Sequence, residues 1–192
     1  MRSTDTNKIE RVKEEALKLI VSKGYHGASI AEIAKAANVS DGYLYRHYVN
    51  KADLVKDIYR SKLKDFHDFI YELLDADLPF GELLKRLIAH LFVIAKREPE
   101  TVQFIFMMIH DHDFDYPRSR LLALRDICTK LLERGKRDNT IGEKLTAEDV
   151  LIVVFSLPLK LIDARRKGVF TTREATSTDL DNITGICLNA LR

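Results

Sequence analysis

Apolar residues recur along this chain at helical spacing, and nowhere does a strand alternation survive. Ile9, Val12, Ala16, Leu19 and Ile20 form a first stripe, which predicts a helix from about Asp5 to Lys23 ended by Gly24. Ile30, Ile33, Ala34 and Ala37 form the second. Ser29 and Glu32 stand at its start as a capping box, and Asn38, tolerant of left-handed backbone, stops it. Val39 is a lone apolar residue in the turn, expected to be buried. Ser40 caps a third short helix in which Leu44 and Tyr48 point inward. That leaves Asp41, Gly42, Tyr43, Arg46 and His47 facing out.

The remaining pattern is longer. Asn50 caps a helix that runs to about Leu74, with Leu54, Ile58, Leu63, Phe66, Phe69, Ile70 and Leu73 on its apolar face. Pro79, Pro99 and Pro117 each open another helix, as proline does at a first turn. Thr146 with Asp149 caps a further helix that reaches Gly168 and should be kinked by Pro158. A last one spans about Thr178 to Leu191. The expectation is an all-α fold of about nine helices. Residues 1–50 form a three-helix unit, and 51–192 form a helical domain entered through the long fourth helix without a flexible linker.

Two short helices joined by a tight turn, with an aromatic and basic outward face, read as a helix-turn-helix whose second helix would enter a DNA major groove. An ordinary helical hairpin of a core shares the spacing. The run Val39-Ser40-x-Gly42-x-Leu44-Tyr45-x-His47-Tyr48-x-Asn50-Lys51-x-x-Leu54 resembles the TetR family of bacterial transcriptional regulators, as do the helix from Ser29 to Ala37 and the preceding Gly24-Tyr25-x-Gly27-x-Ser29. The specific part of the resemblance covers the first quarter of the chain. It implies a double-stranded, palindromic DNA operator as partner. It puts Asp41, Gly42 and Tyr43 at base edges and Tyr45, His47 and Lys51 at phosphates. Ser29 and Ser40 add hydroxyl or helix-terminus contacts, and Arg46 reaches either base or phosphate. It further implies a homodimer joined through the last two helices and a pocket for a small-molecule effector among the middle ones. Phe66, Phe69, Phe92, Phe104, Phe106, Met107, Met108 and Phe155 supply the flexible and aromatic lining such a pocket uses, which points to a partly apolar ligand. The family default is repression.

Charge adds a little to this picture. Residues 1–51 carry nine Lys/Arg against six Asp/Glu, within a chain of net charge +2. That modest surplus fits phosphate neutralisation. Cys128 and Cys187 are too far apart and too helical in context for a disulfide framework. A polar N-terminus and no long apolar run predict cytoplasmic residence, with no membrane contact. No nucleophile elbow, P-loop, dinucleotide fingerprint or metal-protease helix is present, so neither an enzyme nor a cofactor is expected. A helical adaptor binding only protein is the competing class; the outward Tyr43, Tyr45 and His47 argue against it. The segment His110-Asp111-His112-Asp113-Phe114-Asp115 carries metal-ligand chemistry and leaves a metal-responsive regulator as a further alternative. Its two histidines lie two apart and would diverge on a helix, so a solvated loop with no metal is the expectation.

Overall fold

The computed structural model describes residues 2–169 and 175–192. Its described elements are helical throughout: α1 (Arg2–Gly27), α2 (Ile30–Ala36), α3 (Asp41–His47), α4 (Lys51–Asp75), α5 (Phe80–Arg97), α6 (Pro99–Ile109), α7 (Arg118–Arg137), α8 (Ala147–Val150), a π-helical segment (Leu151–Ser156), α9 (Leu157–Arg166) and α10 (Ser177–Ala190). α8, the π segment and α9 follow one another without a break, so the described residues form nine helical runs, the number expected.

The termini follow the caps. Gly24 adopts φ 82°, a conformation costly to any residue with a Cβ, and interrupts α1 where the sequence ended it. Asn38 takes φ 51° after α2. The Asp53 amide donates to Asn50 Oδ1 at 2.9 Å, capping α4. Capping boxes open α8 at Thr146/Asp149 and α10 at Thr176/Asp179.

Pro158 changes the hydrogen bonding of the penultimate run in a specific way. The Leu157 amide bonds Ile152 O, five residues back, and the corresponding donor for Val153 O would be Pro158, which has no N–H. The Cys187 thiol on α10 fills the gap, donating to Val153 O at 3.1 Å.

The chain forms two compact units. The first takes the described residues up to Lys64 together with Glu98–Arg118; the second takes Asp65–Arg97 and Ser119–Arg192. The first is therefore larger than the stretch 1–50 suggested by the motif. It recruits the start of α4 and all of α6, because α6 packs against α1. Its core is built from Val12, Ala16 and Ile20 of α1, Ile33, Ala34 and Ala37 around α2, Leu44 and Tyr48, Leu54 and Ile58 of α4, and Phe104 and Met108 of α6. In the second unit, α5 packs against α9, α10 and the π segment. Leu83, Leu84, Leu87 and Ile88 of α5 are fully buried there, as are Ile127, Leu131, Val150, Val154 and Cys187.

Candidate nucleic-acid interface

Dense local bonding fixes the α2–turn–α3 unit. Ser29 Oγ accepts the Glu32 amide at 3.2 Å and donates to Glu32 Oε2 at 2.8 Å, while the Ser29 amide donates to the same carboxylate at 3.1 Å. Lys23 reaches Glu32 from α1 at 2.6 Å. The Lys23 ammonium and the Ser29 bonds hold the Glu32 carboxyl down at about 2. The Val39 amide closes the turn on Ala34 O at 3.0 Å, and Arg11 Nε caps the end of α2 by donating to Ala37 O at 2.8 Å. Ser40 Oγ accepts the Tyr43 amide at 3.1 Å and starts α3. Leu44 and Tyr48 are buried, as their spacing requires, and Val39 is partly buried against the same core. Tyr48 donates to Asp57, which also pairs with Lys13 at 3.0 Å, tying α3 to α4 and α1.

Asp41, Gly42, Tyr45, Arg46 and His47 are exposed on α3, with Tyr45 60% accessible. Gly42 is helical, and a Cβ built there would meet nothing. The free protein gives no internal reason for glycine at this position. Among the described residues Asp41 pairs with neither Arg46 nor Lys35.

Tyr43 corrects the sequence reading: it is only 7% exposed. Its hydroxyl donates to Asp5 Oδ1 at 2.6 Å, and burial with that bond pushes the phenol up to about 12. Its ring serves as a platform. The His47 ring lies 4.7 Å away, Arg46 5.4 Å over the face and Lys8 of α1 5.9 Å. Tyr43 thus gathers three cationic or titratable groups rather than projecting to a base edge itself. Lys8 was not legible as part of the site, because only the packing of α1 on α3 brings it there.

Lys51 is also turned inward. Its Nζ donates to Tyr25 O at 2.7 Å and Ala28 O at 3.0 Å, and sits 4.6 Å over the Tyr25 ring. Two of its three N–H groups serve the carbonyls at the end of α1. The Ser29 hydroxyl is likewise spent on its cap.

Residues 14–58 match the family model described as bacterial regulatory proteins, tetR family. The HTH-type transcriptional regulator YvkB of Bacillus subtilis (strain 168) is 31% identical over 138 residues, spanning 68% of this chain and 69% of that protein. The chain belongs to the TetR family. It is a DNA-binding transcriptional regulator, which sets aside the helical adaptor. The probable acrEF/envCD operon repressor of Escherichia coli (strain K12) is 32% identical over 152 residues, 72% of this chain and 66% of that one. The fold is shared along the whole length: a TetR family transcription regulator from Marinobacter aquaeolei VT8 superposes with a TM-score of 0.83 at 21% identity, covering 100% of this chain and 98% of that one.

The residues expected to line one effector pocket fall in both units of this TetR-family chain. Phe104 and Met108 are fully buried in the core of the first, with Met107 packed against it, because α6 lies on α1. They are core residues, not lining within the second unit. Phe106 stacks on His110 at 6.3 Å. Phe66, Phe69, Phe92 and Phe155 belong to the second unit. There, Phe69 stacks on His90 at 3.8 Å, and Phe66 stands at 6.1 Å from His90 and 6.3 Å from Phe155. Burial pushes His90 below its ordinary value.

The acidic-histidine segment closes differently from its spacing. His110 Nδ1 bonds Phe106 O at 2.7 Å. Asp111 and Asp113 instead converge on His26 of α1, at 3.5 and 3.4 Å from its Nε2. His26, not the two histidines of the segment, is the imidazole whose ligand atoms lie near those carboxylates. With His26 protonated the three side chains form an ion-pair cluster in which His26 and Asp113 are exposed and Asp111 is partly buried.

Proposed function

We propose that this protein is a homodimeric repressor that binds a palindromic operator through α3 and leaves it when a small, partly apolar effector binds the second unit. The carrying observation is α3 itself: a capped helix whose exposed residues are Asp41, Gly42, Tyr45, Arg46 and His47, with a glycine that the free protein does not need. Gly42 would let the backbone approach the duplex, and Asp41 would accept from a cytosine amino group. Tyr45, Arg46, His47 and Lys8 would contact phosphates, joined by the Ser40 end of α3 and the third N–H of Lys51. Ser29 contributes by holding α2.

Dimerisation through the last two runs is supported by apolar side chains left in water there. Ile152 is 55% exposed, Leu157 36% and Ile186 54%. A two-fold operator requires two reading helices about one DNA turn apart. The functional division is at residue 50, with 1–50 reading DNA and 51–192 sensing and pairing. α4, 25 residues long, belongs to both compact units and is the lever. An effector that prefers a different spacing of the reading helices weakens DNA binding by its differential affinity for the two states. Action on chromosomal operators places the protein in the cytoplasm, and no described helix is long and apolar enough to cross a membrane.

The test is sequencing of genomic fragments retained by the purified protein, followed by salt titration on the best fragment. An enriched palindrome with a steep salt slope is expected. Retention without sequence preference overturns the operator reading. Size-exclusion chromatography with light scattering should give a dimer; a monomer at micromolar concentration removes the dimer.

A further inference from the structure

Among the described residues of the second unit, two basic side chains each bury a nitrogen that meets neither a hydrogen-bond partner nor a carboxylate. His67 on α4 is 4% exposed, and its Nδ1 is buried without a hydrogen-bond partner. Arg120 on α7 is partly buried, and its Nε is likewise buried and unpartnered. Arg134 and Arg165 of the same unit instead have carboxylates on their guanidinium groups, Asp138 and Asp179. No such carboxylate meets Arg120 among the described residues. The two bare groups feel each other. After burial, the Arg120 charge is the largest influence holding His67 neutral; Asp68 pulls the other way more weakly. Leaving buried polar nitrogens unsatisfied is costly, and native proteins do so chiefly where something else completes the site.

We propose that His67 and Arg120 receive the carboxylate of the effector, so that the effector is an amphipathic organic monoanion. The proposal rests on the effector reading above and narrows it. A guanidinium offers N–H groups in a fork that matches a carboxylate, and the imidazole of His67 offers a further N–H. One cation beside a neutral imidazole matches one negative charge; a phosphate dianion would keep an unbalanced charge, and an amine would meet Arg120 with like charge. The apolar body has surface to lie against within the same unit. Phe66, Phe69 and His90 form a partly buried aromatic shelf on α4 and α5, and Phe66 is the immediate chain neighbour of His67.

The experiment is isothermal calorimetry on the full-length protein with octanoate, decanoate and 4-phenylbutyrate, each beside its alcohol and its primary amine. At least one carboxylate should bind tenfold or more tighter than its alcohol, and no amine should bind better than its alcohol. Arg120→Met should erase the gap between acid and alcohol, and Arg120→Lys should keep part of it. Thermal melts without ligand guard against misfolding: both variants should melt no lower than the parent, since each relieves or retains an uncompensated charge. Alcohols that match their acids, heat from none of the acids, or an Arg120→Met protein that keeps the gap would each overturn the assignment. Operator release is measured in parallel. An acid that binds without releasing DNA leaves the head-group site intact and removes the effector-release reading; an alcohol that binds equally and releases DNA does the reverse.

Discussion

The two compact units treat their polar groups in opposite ways. In the first, Ser29, Glu32, Arg11, Tyr43 and Lys51 each spend hydrogen-bonding capacity on a backbone or side-chain partner nearby. In the second, His67 Nδ1, Arg120 Nε and Thr140 Oγ1 are buried with none. The first unit presents a fixed surface, and a fixed surface suits a rigid, repetitive partner such as a duplex. The second has polar groups that still lack partners, the condition of a site completed by a ligand. Four perturbations test this contrast, from the largest effect to the smallest.

Tyr43→Ala should be the most damaging change in the first unit. It deletes a buried ring and the platform under Arg46, His47 and Lys8, at a cost of roughly 3–5 kcal/mol in stability. DNA affinity should fall by a similar factor for operator and random sequence. Tyr43→Phe keeps the platform and should cost only about 1 kcal/mol, the worth of one hydrogen bond. Denaturant unfolding and fluorescence anisotropy on both DNAs check this. A loss of sequence preference without a loss of general affinity would return Tyr43 to a base edge and contradict its buried position.

Acid should act mainly through the second unit. Unfolded, the His67 imidazole takes a proton near 6.5; folded, burial and the Arg120 charge hold it down to about 4. Between those values the unfolded chain binds more protons, so stability, complete above about 6.5, is lost as pH falls toward 4. The loss is on the order of 3 kcal/mol. His67→Leu should flatten this window in unfolding curves taken across pH. An unchanged slope would show that His67 charges freely in the folded protein. Gly135→Ala probes packing in the same unit: its new Cβ would collide with the Ile141 side chain, and a loss of about 1–3 kcal/mol is expected in denaturant midpoints. No loss would mean Ile141 can turn away.

How much of this was legible follows the range of the interactions. Ser29, Asn38, Ser40, Asn50 and Thr146 announced their elements because caps act within four residues. The inward pair Leu44 and Tyr48 was equally local. Tyr43 was not, because a helix as short as α3 has no clear inner and outer face until α1 covers one side. Lys51 was only partly legible for a related reason: a lysine stem can carry its charge to carbonyls 26 and 23 positions away as readily as to a phosphate. Phe104 and Met108 show an apolar stripe that states burial but not which core it joins. Pro158 was legible as a missing donor within its helix, whereas the bond that Cys187 supplies there needed the packing of α10. His67 carried no signal at all, since its isolation is a property of what fails to surround it.

Gly42→Ala should have the smallest effect on the folded protein and separates fit to DNA from stability. A Cβ at this position meets nothing within 4 Å, and φ is not in the left-handed region. Exchange of glycine for alanine favours the folded state by about 0.5–1 kcal/mol in a helix interior and by less in a first turn such as this one, so the variant should melt no lower than the parent. If α3 enters the major groove as proposed, the same methyl group arrives where the backbone comes closest to the duplex, and operator affinity should fall while stability holds or rises. That divergence cannot come from damage to the unit, because damage would move both measurements down together. An affinity that holds or improves alongside the melt would mean that this end of α3 keeps clear of the bases, and that Tyr45, Arg46 and His47 carry recognition from the other end of the helix.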